Sequence, residues 1–266
     1  MDRQEVHNSP VVSGIRIFPI KSLDGIPLEM AEIGHRSLLH DREFAIIGAD
    51  GRLMNGKRTG RVNQLKAEYN LSDMTVNFSE RHDTITHQFK LLDEQALIES
   101  YLTDFFKMPV HLLHNKAGRL LDIPDTSCLS VVSQETMQYL AQEMPGHDAA
   151  DLRLRFRVNI ELAGVTPFWE EQLARSSGIP VPFSIGSVQL AGNSLRARCN
   201  VPPRHPHSGE TDKTFVKQMT RARAQNIPEW SMVDELPSLY YLSVDCSIPV
   251  TEKGKQIRIG DQLAIH

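Results

Sequence analysis

A mainly β chain of α+β class, with a few helices and two lobes, is predicted by three observations. Short β-branched or alternating runs fill the first 115 or so residues, with turn signals every eight to twelve residues or so, as in a barrel or sandwich. Few stretches carry apolar residues at helical spacing. The second half again closes in strand-like runs, Tyr240–Val244 and Ile257–Ile265, the latter broken by Gly260-Asp261.

Residues 1–10 read as a loose polar leader. Val11–Ile20 is a strand ended near Pro19, and Ile26–Ile33 a second. Arg42–Ile47 and Gly51–Met54 flank Asp50-Gly51, a hairpin signal. Leu65–Leu71 with Met74–Phe78 makes another hairpin, followed by a strand over Thr84–Leu91. Asp93–Phe106 has helical spacing in Ala96, Leu97, Tyr101, Leu102, Phe105 and Phe106, with acids at the start to suit the dipole. A strand over Val110–Leu113 follows, and the polar His114–Gly118 stretch separates a first lobe, 11–115, from a second, 116–266. There Cys128–Val132 reads as a strand and Ser133 as the cap of a helix reaching Met144. Leu152–Leu162 alternates, so a strand is expected to put Arg153, Arg155, Arg157 and Asn159 on one face. Ser187–Ala191 reads as a strand, Phe183–Leu190 leads into the stretch around Cys199, and Thr214–Ala224 is a basic helix with Lys217, Arg221 and Arg223 in solvent.

Composition narrows the function. The chain of 266 residues carries a net charge of -4 with pI near 6.3, which points away from nucleic acid. Cys128, Cys199 and Cys246 are scattered and odd in number, unlike a disulfide scaffold or a CxxC zinc site, and they suit a reducing compartment. No apolar run has membrane-spanning length and the N-terminus lacks the pattern of a secretory signal, so a cytoplasmic location without a membrane partner is expected.

The chemistry gathers around Leu195–Gly209, where Cys199 stands among Arg196, Arg198 and Arg204 before three prolines. Guanidinium neighbours favour the thiolate, the form that attacks or binds metal. A small structural cysteine fits the same residues. Lys21-Ser22, Asp41-Arg42, Asp125-Thr126-Ser127 and the Arg157/Asn159 pair could each hold an oxyanion. Taken singly, each also fits an ordinary loop or wet strand face. His205/His207 and His111/His114 lack a further ligand at metal spacing, and no GxSxG elbow occurs.

Taken in order, Phe18-Pro19-Ile20-Lys21-Ser22, Asp41-Arg42-Glu43-Phe44, Arg58, Asp125-Thr126-Ser127, Arg155-Phe156-Arg157-Val158-Asn159, Arg198-Cys199 and Ile259-Gly260-Asp261 resemble the MOSC-domain family. The likeness is to its long members with an N-terminal β-barrel domain, a group that includes the mitochondrial amidoxime-reducing component. The resemblance implies an N-terminal MOSC-type β-barrel domain followed by a MOSC β-barrel domain. It also implies a molybdenum cofactor (Mo-molybdopterin), with Cys199 as the catalytic thiolate ligand to the metal. Lys21, Ser22, Arg42, Arg58, Thr126, Ser127, Arg157, Asn159 and Arg198 match positions around the pterin and phosphate. The activity implied is reduction of a small N-hydroxylated substrate, with electrons from a separate ferredoxin-like or flavin reductase partner, because three scattered cysteines cannot build a four-thiolate cluster. A cofactor carrier or sulfur-transfer protein using a Cys199 persulfide is the other reading. Pyridoxal phosphate binding enters only as a family-level attribute. The chain departs from the family in three places: Arg196-Ala197 precedes Arg198-Cys199 where relatives have an earlier cysteine, Val158 replaces a proline, and His205-Pro206-His207-Ser208-Gly209 replaces Asp-Pro-x-Thr-Gly. The last removes an acid from the position following the thiol. Glu170-Glu171 matches a family acidic pair.

Overall fold

A computed structural model describes residues 9–35, 37–118, 120, 128–175 and 177–266. The first half supplies β1 (Val11–Ile17), β2 (Ile26–Leu28), β3 (Met30–Glu32), β4 (Phe44–Gly48), β5 (Leu65–Asn70), β6 (Thr75–Glu80), β7 (His87–Lys90), α1 (Gln95–Phe106) and β8 (Val110–His114). The second supplies β9 (Leu129–Ser133), α2 (Gln134–Glu143), α3 (Ala149–Phe156), β10 (Ile160–Ala163), β11 (Val181–Ile185), β12 (Val188–Ala197), α4 (Phe215–Ala224), β13 (Tyr241–Ser247), β14 (Gln256–Arg258) and β15 (Leu263–Ile265). The expected mainly β architecture with a few helices is what forms.

Eight strands make the principal sheet, in the order β15-β11-β12-β13-β9-β10-β1-β2. Its β15 edge returns to the start of β1, where Val12 N–H donates to the Asp261 carbonyl at 2.9 Å and Leu263 N–H to Pro10 at 2.8 Å. β1 and β2 thus belong to a sheet otherwise built from the second half. β9 and β10 run parallel, Val131 opposite Ile160, and α2 and α3 form the crossover between them. The three-stranded β5-β6-β7 sheet and the β4-β8 pair pack with α1 around Phe44, Phe78, Ile98 and Leu102. A further core under the helices gathers Met137, Leu140, Phe156, Phe215 and Met219.

Several expectations are corrected. Ile26–Ile33 is broken at Glu29 into β2 and β3, which pair with β1 and β14 respectively. Gly51–Met54 is no strand; it touches β4 through one Ile47–Leu53 bridge. The strand expected over Ser187–Ala191 is the start of β12, and the residues before it belong to β11, the two turning at Gly186, whose φ of 55° is open to glycine. The largest correction is Leu152–Leu162, where α3 replaces the first part of the expected strand. Asp148 Oδ1 accepts from the Asp151 N–H at 2.7 Å and caps the helix. Leu152 and Phe156, one turn apart, are buried, whereas Leu154 is left 39% exposed. A strand would have buried all three.

Arg223 is likewise not in solvent. It is fully buried, its Nη2 2.5 and 2.6 Å from the two oxygens of Glu171 and its Cζ 3.8 Å from the Phe168 ring centroid. Beside it Glu170 accepts from Thr136 Oγ1 at 3.1 Å. Burial, reinforced by the Glu171 charge, pushes the Glu170 carboxyl from the ordinary 4.5 up to about 7. A carboxyl raised in the folded state holds its proton more tightly there than in the unfolded chain. Its contribution is complete below about pH 4.5 and is lost as pH rises through about 7, amounting to at most about 3 kcal/mol. Thermal melts of Glu170→Gln should therefore fall less than wild type between pH 5 and pH 8. Parallel curves would contradict this.

Candidate functional site

The site begins where β1 ends. Phe18 N–H donates to Asp41 Oδ1 at 2.9 Å, Arg42 N–H to the Phe18 carbonyl at 2.9 Å, and Lys21 N–H to the Phe44 carbonyl at 2.7 Å. These bonds lock the turn after β1 to the turn before β4. Both turns are bent by non-glycine residues at positive φ: Ser22 at 73°, His40 at 64° and Arg42 at 50°. Arg157, the residue that ends α3, is a fourth at 56°. Such conformations cost on the order of 1 kcal/mol or more each and gather at functional sites.

Their effect is to converge two guanidinium groups. Arg42 Cζ lies 4.5 Å and Arg157 Cζ 4.1 Å from the centroid of Phe18. Arg42 is held by Asp41 at 2.6 Å, by Asn159 Oδ1 at 3.1 Å and by the Arg157 carbonyl at 3.1 Å. Asn159 is the hub: its Oδ1 also faces Ser130 N and Oγ at 3.3 Å, and its Nδ2 donates to the Arg16 carbonyl at 3.0 Å. Arg157, by contrast, has a buried Nη2 with no hydrogen-bond partner among the described residues. Burial, then the neighbouring Arg42 charge, pulls the Arg157 guanidinium down to about 10. A buried donor without an acceptor, on a cation repelled by its neighbour, is a vacancy in bonding that an oxyanion would satisfy.

Cys199 follows β12 in the second half of the chain. It is exposed, whereas Cys128 and Cys246 are buried, and burial pushes the Cys246 thiol up. Arg198 N–H donates to the Tyr240 carbonyl at 3.0 Å and Arg198 Nη2 to the Phe156 carbonyl at 2.6 Å; Tyr240 Oη reaches the Cys199 carbonyl at 3.4 Å. Burial and then the Arg196 charge lower the Arg198 guanidinium to about 10. Beyond Cys199 the chain becomes a strap pressed on the first half. Arg204 Nε donates to the Gly56 carbonyl at 2.5 Å and Gln64 Nε2 to the Ser208 carbonyl at 3.1 Å. Gly60 and Gly209 pack backbone to backbone, so a Cβ on Gly209 would come within 2.1 Å of the Gly60 carbonyl oxygen.

One cavity joins these parts. Lys21, Ser22, Arg42, Arg157, Asn159, Arg198 and Cys199 all line it. Among the described residues lining it, ten are Lys or Arg and one, Asp24, is acidic, although the whole chain is net negative. Asp24 is itself engaged by Arg81 at 2.6 Å and by the Ala67 N–H at 2.9 Å. Arg58 is not brought there: its Nη1 lies 2.8 Å from Asp50 and 3.3 Å from the Arg52 carbonyl, holding the turn after β4. Thr126 and Ser127 lie outside the described residues. Arg157 and Asn159 do meet, through the end of α3 rather than a shared strand face. His111 and His114 bond Glu99 and Glu43, while His207 lines the cavity. Among the described residues no group of three His, Cys, Asp or Glu side chains could hold a metal ion, and no helix is long and apolar enough to cross a membrane.

Three residues of the site have roles that the sequence pattern does not show. Phe18 stands in the first motif, but its service as a plate for two arginines depends on α3. Arg155 and Tyr240 reach the strap and Cys199 through long-range contacts. The capping pair Asp148 and Asp151 was the one local signal for α3, and hence for the orientation of Arg157.

The described residues thus gather guanidinium groups and one exposed thiol around a single cavity. The chain matches the MOSC N-terminal beta barrel domain over residues 9–109 and the MOSC domain over residues 119–264, and it belongs to the MOSC family. It is similar to a molybdenum cofactor sulfurase of Caenorhabditis briggsae, 24% identical over 225 residues. That match covers 78% of this chain and 31% of the sulfurase, so the chain spans about a third of that protein. The crystal structure of the YuaD protein from Bacillus subtilis aligns with a TM-score of 0.41 at 11% identity, over 97% of this chain and 96% of that one.

Proposed function

We propose that this protein is a molybdenum-cofactor-dependent oxidoreductase that reduces small N-hydroxylated compounds with electrons from a separate ferredoxin-like or flavin reductase. One observation carries the reading: the exposed Cys199 thiol shares a cavity with Arg157, whose buried Nη2 has no partner among the described residues. The residues fit the group. Arg157 and Arg42, with Lys21, Ser22 and Arg198, would hold the phosphate and pterin, and Cys199 would offer the soft thiolate suited to a metal already bound by dithiolene sulfur. Bound there, the cofactor supplies two-electron oxygen-removal chemistry. The protein orients it: Asn159 fixes Arg42, Phe18 fixes both guanidinium planes, and the strap fixes Cys199.

Metal and pterin analysis of protein from a cofactor-competent host, together with N-hydroxyamidine reduction by an artificial electron donor, tests this directly. Arg157→Ala should reduce cofactor retention by roughly 10- to 150-fold, the equivalent of a charge-assisted bond of ~1.5–3 kcal/mol. Arg157→Lys should recover part of it, lacking the planar fork. Full molybdenum occupancy in Arg157→Ala would remove the cradle assignment. A second reading draws on the sulfurase relative: Cys199, exposed to solvent, would carry a persulfide for cofactor maturation. A persulfide on Cys199 in protein devoid of molybdenum would favour it.

A further inference from the structure

His147 lies outside the cavity, in the turn between α2 and α3, with its side chain 5% exposed. Its Nδ1 is 2.6 Å from Asp151 Oδ2 and its Nε2 is 3.2 Å from Asp212 Oδ2. The Phe215 ring packs edge-on against it at 5.1 Å. An imidazole fastened at both nitrogens cannot turn without breaking a bond, so the two carboxylates are held at a fixed separation.

Each carboxylate leads to the same place. Asp151 Oδ2 also accepts from Arg155 Nε at 2.6 Å, and Arg155 Nη1 donates to the carbonyls of Pro202 and Arg204, both at 2.9 Å. Asp212 donates its N–H to the Pro203 carbonyl at 2.8 Å, while its Oδ1 accepts from Thr214 N at 2.7 Å and Oγ1 at 2.6 Å at the start of α4. Three successive backbone carbonyls just beyond Cys199 are therefore gripped along the two branches that meet at His147: those of Pro202 and Arg204 by Arg155, itself held by Asp151, and that of Pro203 by the Asp212 N–H. A buried histidine serving only to fill space would not need both branches to converge on one tripeptide.

We infer that His147 is a positioning residue for Cys199, fixing the backbone of residues 202–204 and with it the station of the thiol in the cavity. The inference rests on Cys199 being the working thiol of the proposed function. Its test uses the full-length protein without cofactor, so a failure of the oxidoreductase reading leaves both readouts intact.

Hydrogen exchange is followed at the amides of Arg204, His205, Gly209 and Asp212, which donate to Val201, Glu210, His205 and Pro203. In His147→Ala their exchange should quicken by at least about tenfold, as expected for loss of a buried charge-assisted bond, with the β12 and β13 amides unchanged. His147→Gln, which keeps one donor, should restore part of the protection. Combining His147→Ala with Asp212→Asn should add little to the larger single effect, because both cut the same branch. A nitroxide on Cys199, whose two fellow cysteines are buried, should move faster in His147→Ala and regain restraint in His147→Gln. Unaltered strap exchange, an equal rise in β12 and β13, or an unchanged nitroxide line shape would each overturn the inference.

Discussion

Cys199→Ser is expected to abolish N-hydroxy reduction while leaving a folded protein that still retains pterin. On the proposed reading serine would offer a neutral hydroxyl in place of a soft thiolate, and a metal bound there would lose its protein ligand. Stability should change by less than about 0.5 kcal/mol, because the side chain is exposed and carries no packing. Arg42 and Arg157, which the proposed reading assigns to the phosphate, are unchanged by the substitution. Cys128→Ser and Cys246→Ser should show the reverse pattern: reduction persists, and stability falls by about 1–3 kcal/mol because each puts a hydroxyl into an apolar core. Activity, pterin fluorescence and melting temperature measured on all three separate these outcomes. Wild-type reduction by Cys199→Ser would overturn the oxidoreductase reading.

Arg223→Met should be the most destabilising single change away from the cavity. It strands the Glu171 carboxylate, which lies beside Glu170 in a site that water does not reach. Removing one partner of a buried ion pair costs about 3–5 kcal/mol. For a chain of this size that is a fall of roughly 6–20 °C in the melting midpoint. Adding Glu171→Leu should recover most of the loss, because an apolar pair needs no compensation. A single variant within about 1 kcal/mol of wild type in urea titration would refute this account.

The legible parts of this protein are those whose signals are local. The β5–β6 hairpin, the α1 helix and the Ser133 cap of α2 each follow from spacing and capping within a dozen or so residues, and each forms where expected. Leu152–Leu162 failed because its apolar residues satisfy a two-residue period and a four-residue one at once; the Asp148 cap and the helical core decided between them. Arg223 failed for a different reason: a basic helix face gives no sign that Glu171 waits opposite it. The site shows the same division. Motif order singled out Lys21, Ser22, Arg42, Arg157, Asn159, Arg198 and Cys199, and one cavity collects them. Arg58 was singled out on the same grounds, yet the turn holding Asp50 claims it. Nothing in a linear pattern encodes that Phe18 would receive two guanidinium groups, since the arginines come from positions 42 and 157.

The membership of β1 in the principal sheet has a consequence for biosynthesis. On one edge β1 has the short β2 close at hand, but on the other Val11 pairs with Ala163 and Ile15 with Ile160, so at ribosomal speeds of about 5–20 residues per second that edge waits roughly 7–30 s for β10, about 150 residues on. Throughout that interval its Val12, Ile15 and Ile17 side chains and its unpaired backbone edge are open to other chains. The β5–β6–β7 sheet and α1, by contrast, can assemble from neighbours as they emerge. Newly made protein therefore passes through a stage in which one half is folded and its leading strand is sticky, and chaperone demand should concentrate on that strand.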